Sequence, residues 1–190
     1  MRIAGTLMGA GSFGAILLVA AAWPSLTAPV VDVVPFTIHP VSSAVDVGEA
    51  AIEPLFDLSG AGEGPIEACV RLTAAAEPGD DLRLYSAGVS APAAADQIGI
   101  RITRTDPVEE PGAEPGIIPC DEMGSPTVAL TRLSLSLADY ADTRFSSSIG
   151  DSLGVVHGSG VAIDVKISLS VPAGSGRFDD VETSWEIDVR

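Results

Sequence analysis

The scarce reactive side chains of this chain are Cys69, Cys120, His39, His157 and a single lysine, Lys166. A cysteine nucleophile needs a base beside it. His39 lies next to Pro40 and His157 next to Gly158, and neither spacing ties a histidine to a cysteine. Each histidine reads as a surface or strand-end residue. Neighbouring carboxylates occur at Asp80-Asp81, Glu109-Glu110, Asp121-Glu122 and Asp179-Asp180. Such pairs could approach a calcium ion, but the twelve-residue EF-hand pattern is missing, and they read as solvated acidic loops. There is no H-E-x-x-H, G-x-S-x-G or P-loop sequence. The chain contains no asparagine, so it offers no N-glycosylation sequon and no Lys–Asn cross-link. The reading is of a non-enzyme, with no catalytic residue, no metal site and no cofactor.

Charge narrows the partners. Lys plus Arg number 10 against 26 Asp plus Glu, for a net charge of -16. Repulsion from phosphates makes nucleic acid and anionic membrane surfaces poor partners. Hydrophobic residues nevertheless make up 46% of the chain, far more than a disordered acidic tail carries.

The N-terminal residues look like an address. Arg2 precedes an apolar run from Ile3 to Ala22, and no acid occurs before Asp32. That order reads as a secretory signal peptide over 1–22, cleaved after Ala22, with Ala28 as a second candidate site. An uncleaved membrane anchor is the alternative, since the run is long enough to span a bilayer. Signal peptidase is then a partner during export, and the destination is the cell surface or beyond. In an oxidising compartment Cys69 and Cys120 read as one disulfide rather than two free thiols.

Strands must position these residues. Val161, Ile163, Val165, Ile167 and Leu169 alternate with Ala162, Asp164, Lys166 and Ser168. Period two predicts a strand with one face in the core and one in water. Trp185, Ile187 and Val189 alternate in the same way. So do Ala68, Val70 and Leu72 around Cys69 and Arg71; Leu82 and Leu84 around Arg83; and Ile98, Ile100 and Ile102. Leu133, Leu135 and Leu137 alternate with Ser134 and Ser136 and predict a further strand. Glycine- and proline-rich turns separate these runs. Only Leu137 to Phe145 suits a short helix, with Leu137, Tyr140 and Ala141 on one face. The segment from Asp106 to Pro119 has no period and reads as a long surface excursion. The expected fold is all-β, a jelly-roll-like β-sandwich with at most one or two short helices. It would occupy residues 41–190, behind an N-terminal arm over 23–40.

The order of these elements resembles the TasA/camelysin family of secreted bacterial proteins. The resemblance rests on the leader ending Ala21-Ala22-Trp23, a strand-like stretch from Val30 to Ile38, and Ile52 to Leu58 ahead of a Gly/Pro turn. It continues through Glu67 to Thr73, Leu82 to Gly88, Ile102-Thr103-Arg104 leading to Cys120, Leu137 to Tyr140, and Thr183-Ser184-Trp185-Glu186. It implies a jelly-roll sandwich assembled into extracellular matrix fibres, in which an N-terminal strand of one subunit completes the sheet of the next. The arm residues expected to do this are Val30, Val31, Val33, Phe36 and Ile38. Pro29, Pro35 and Pro40 cannot donate to a ladder, so the arm suits a sheet edge. It can dock in trans on another subunit or fold back in cis. Besides self-assembly, other surface or matrix proteins are possible partners. The rival readings are a monomeric adhesin or ligand-binding module on the same fold, and a camelysin-type protease, for which the chain has no zinc motif.

Overall fold

The computed structural model describes residues 33–34, 36–48, 56–57, 65–125, 127–131, 135–158, 160–172, 178 and 181–190. The signal-peptide segment 1–22, both cleavage sites, Val30, Val31, Leu133 and Asp179-Asp180 lie outside the described residues. In chain order the strands are β1 (Val33–Val34), β2 (Phe36–Pro40), β3 (Val45–Asp46), β4 (Phe56–Asp57), β5 (Ile66–Ala74), β6 (Asp81–Val89) and β7 (Gly99–Thr105). They continue as β8 (Val108–Glu109), β9 (Gly116–Ile118), β10 (Thr127–Ala129), β11 (Asp151–Val155), β12 (Val161–Ser170) and β13 (Thr183–Val189). Among the described residues there are also two short helices, α1 (Pro92–Ala95) and α2 (Leu137–Thr143).

Among the described residues two large sheets face each other. One is seven-stranded, ordered β10-β7-β12-β5-β3, with β8 added on β12 and β9 on β5; the other is four-stranded, ordered β11-β6-β13-β2. The chain changes sheet from β5 to β6, from β6 to β7, from β11 to β12 and from β12 to β13. That alternation lets each strand's apolar face meet the opposite sheet, and it gives the all-β sandwich expected from the strand pattern. Val161, Ile163, Val165, Ile167 and Leu169 are all buried and point at Leu82, Leu84, Trp185 and Ile187 in one continuous core.

The second face of β12 corrects the sequence reading. It does not look into water: Ala162, Asp164 and Ser168 are buried as well. The excursion and the residues just after it lie against Ala162 and Asp164, while Ser168 packs beside Glu67. The excursion leaves β7, pairs Val108 and Glu109 with Ala162 and Val161, and crosses to pair Gly116 to Ile118 with Arg71 to Cys69 on the far side of β5. The return leg is fixed by the Cys69–Cys120 disulfide, whose Cα atoms are 5.2 Å apart. Gly48 permits the close approach of this flap. Its φ of 57° favours glycine, and a side chain there would run into the carbonyl of Pro115.

Of the strand expected over Leu133 to Leu137, Leu133 and Ser134 lie outside the described residues, and the part from Leu135 to Leu137 is corrected. Ser136 makes one bridge to Gly99 and then caps α2, its hydroxyl accepting from the Asp139 N–H at 3.0 Å. A serine ahead of a helix gains more by satisfying a free N–H than by continuing a strand. The face of α2 is as expected, with Leu137, Tyr140 and Ala141 buried. Helix α1 had no sequence signal, because its four residues are too few for a period.

Candidate assembly site

Phe36-Thr37-Ile38-His39 alternates apolar and polar residues, which suits a strand with one buried face. Strand β2 forms there, and it runs parallel to β13, with Phe36 opposite Thr183, Ile38 opposite Trp185 and Pro40 opposite Ile187. The pairing extends by one bond, from the Val41 N–H to the Ile187 carbonyl at 2.8 Å. β13 is its only strand neighbour among the described residues. At this edge Pro40 costs nothing for its missing N–H.

The arm's side chains nevertheless reach the core. Phe36 is 0% exposed and Ile38 1%, each contributing about 1.5–3 kcal/mol of apolar burial. The Phe36 ring stacks on the Trp185 indole, with centroids 4.8 Å apart and planes 27° apart. Phe56 meets Phe36 edge-on at 5.2 Å. Tyr140 stacks on Trp185 at 4.4 Å and 20°. Tyr140, Trp185 and Phe36 thus form one pile of rings, of which the arm supplies the outermost. Each such pair adds about 0.5–1.5 kcal/mol beyond area.

Polar contacts fix the pile. The Trp185 Nε1–H donates to Thr183 Oγ1 at 2.8 Å, and the Thr183 hydroxyl donates onward to the Gly88 carbonyl at 3.4 Å. The Tyr140 hydroxyl donates to the Leu84 carbonyl at 3.4 Å. Burial pushes the Tyr140 phenol far above its ordinary value, and the Asp151 carboxylate pushes the same way. On the outer face of this sheet His39, Glu186 and Tyr85 share one row across β2, β13 and β6. Burial raises the Tyr85 phenol, and a hydrogen bond with Glu186 adds to it.

Of the arm residues named from sequence, Phe36 and Ile38 come together in this seat. Val33 does not join them: it pairs with Asp57 in the separate β1–β4 ladder. Trp185 forms a wall of the seat, while the five alternating residues of β12 line the facing sheet. His39 and His157 are exposed. Asp80 accepts from the Glu77 N–H in a turn, and Asp81 pairs with Arg83 at 2.5 Å. Among the described residues no three His, Cys, Asp or Glu side chains gather as a metal site would require.

The sequence reading missed two features. Phe56 and Thr183 complete the arm's seat with Tyr140; the helix face named from sequence had placed only Tyr140 toward the core. The other is a pair beneath the flap. The Arg71 guanidinium grips Asp164 through Nε at 2.7 Å and Nη2 at 3.0 Å. The Gly124 N–H adds a bond at 3.2 Å, and Thr105 Oγ1 accepts from the Asp164 N–H at 2.9 Å. The hydrogen bond to Asp164 raises the Arg71 pKa above its ordinary value. A cleft of about 190 Å³ opens beside the pair, edged by Asp106, Glu110 and Glu122.

The fold and this site define a two-sheet β-sandwich whose N-terminal edge strand plugs its own aromatic core. No protein-family model, curated protein or solved structure matches the chain.

Proposed function

We propose that this is a secreted structural protein that forms extracellular or cell-surface fibres by strand exchange, the Phe36–Pro40 segment of one copy seating in the sandwich of the next. One observation supports the reading. An edge strand early in the fold, with one strand neighbour among the described residues, carries two fully buried side chains. Exchange between copies keeps every contact of that seat and opens only the connection behind it. Cis and trans docking therefore have similar contact energies, and concentration sets the balance. A head-to-tail exchange whose rotation does not close into a dimer or ring propagates as a filament.

Negative-stain microscopy of the purified chain over a concentration series tests the reading. Fibres are expected for the wild type and none for Phe36→Asp, which cannot donate its ring. A wild type that stays monomeric at high concentration, or Phe36→Asp fibres like those of the wild type, overturns it. The second reading is a monomeric surface adhesin or ligand-binding module. It is favoured by the seat being filled within one chain, since a self-plugged sandwich needs no partner.

A further inference from the structure

We infer that the seat is an aromatic-reading slot: it selects an incoming strand that presents a phenylalanine two residues before a branched aliphatic residue, in parallel to β13, and Thr183 is the residue that positions the reader. The guest is the Phe36–Pro40 segment of a second copy of this chain. The inference deepens the strand-exchange reading and rests on it for the source of that guest.

The selectivity follows from the walls. Trp185 presents a flat face to the guest ring at 4.8 Å, and its other face is backed by Tyr140 at 4.4 Å. The indole has no room to retreat. Phe56 closes the side edge-on at 5.2 Å. A slot bounded by one ring face and one ring edge suits a planar side chain, and a tetrahedral Leu of similar volume loses the stack. Two residues on, Ile38 is opposite Trp185 in register and 1% exposed, so the second position tolerates an aliphatic side chain.

Thr183 sets the angle of the reader. It is 3% exposed and accepts from the indole N–H while donating to the Gly88 carbonyl. Without its hydroxyl the buried indole N–H is left without its partner, and the indole loses the polar contact that fixes its tilt between the rings. Orientation is set by the ladder. The guest's C-terminal end lies beside Ile187, because Pro40 is opposite it, and its N-terminal end lies beside Thr183.

The test uses the full chain carrying Trp23→Phe, so that Trp185 gives the single indole N–H signal. Phe36→Ala in that chain vacates the slot, and Phe36→Leu serves if the alanine variant does not fold. Synthetic peptides of residues 33–41, with Phe or Leu at the key position, are titrated against it by NMR and thermal melting. The Phe peptide should shift the Trp185 signal and raise Tm, and the Leu peptide should bind roughly tenfold more weakly. Thr183→Val should erase that preference, and Thr183→Ser should restore it. A nitroxide on the peptide C-terminus should broaden amide signals at Ile187 to Val189 more strongly than that of Thr183, and one on the N-terminus should reverse the order. Equal binding of the two peptides, no binding of either, or a preference unchanged by Thr183→Val overturns the slot. The two proposals separate cleanly. A chain that prefers Phe but never forms fibres keeps the slot and refutes exchange, and fibres without the preference do the reverse.

Discussion

Arg71 and Asp164 stand opposite each other on neighbouring strands, and the guanidinium grips both oxygens of a carboxylate whose side chain is 6% exposed. The flap closes over them, with the Gly124 N–H reaching the same carboxylate. The pair ties β5 to β12, the Gly124 N–H anchors the segment after Cys120 to it, and its energetics set the first expectation.

Arg71→Leu strands a buried carboxylate and should destabilise the domain by about 3–5 kcal/mol. The double variant Arg71→Leu/Asp164→Leu removes both charges and should recover most of that loss. Urea unfolding of the three proteins measures it. A double variant no more stable than Arg71→Leu would show that the pair's worth lies in its hydrogen bonds to the flap rather than in charge balance.

The disulfide ties the same flap covalently. Cys69 and Cys120 are separated by 51 residues, and closing a loop of that size stabilises by about 4 kcal/mol in the chain-entropy account. Reduction should lower the urea midpoint accordingly. Intact mass before and after alkylation reports whether the thiols are paired, and two alkylated cysteines in unreduced protein would contradict the bridge.

On β12, Ile167 is 0% exposed in the core and Ser168 is 9% exposed on the opposite face, beside Glu67. Ile167→Asp buries a charge without a partner and should unfold the domain. Ser168→Asp has an intermediate cost. The serine donates to Glu67 Oε1 at 3.0 Å, and an aspartate would set two carboxylates together, with Lys166 near enough to relieve them. Thermal melts rank the two variants, and equal melting points would place the register one residue away.

The buried phenols give a pH expectation. Tyr140 and Tyr85 have folded values raised above the ordinary one. Stability from a raised acid is fully present below the unfolded value of about 10 and falls as pH rises past it, because only the unfolded chain releases the proton. Alkaline unfolding should begin there, and phenolate absorbance should appear together with loss of structure. Tyr140→Phe should flatten the alkaline limb of the stability curve. Phenolate appearing well before unfolding would mean that these hydroxyls reach solvent.

Alternation of side chains by itself determined the sandwich. Val161 to Leu169, Ala68 to Leu72, and Trp185 with Ile187 must each hide one face, and two sheets are the economical way to hide them. The helix at Leu137 to Thr143 and the pairing of Cys69 with Cys120 were legible for equally local reasons: a 3.6-residue period and the arithmetic of two thiols. Only the tertiary structure decided what covers the other face of β12, because Ala162 and Asp164 look surface-facing until a distant proline-rich segment and the residues after it are laid beside them. It alone decided that Phe36 meets Trp185 from a parallel edge strand, with Phe56 and Tyr140 closing the seat. Periodicity records which way a side chain points along its own strand, whereas register, strand direction and neighbours from far along the chain are set by the joint packing of both sheets.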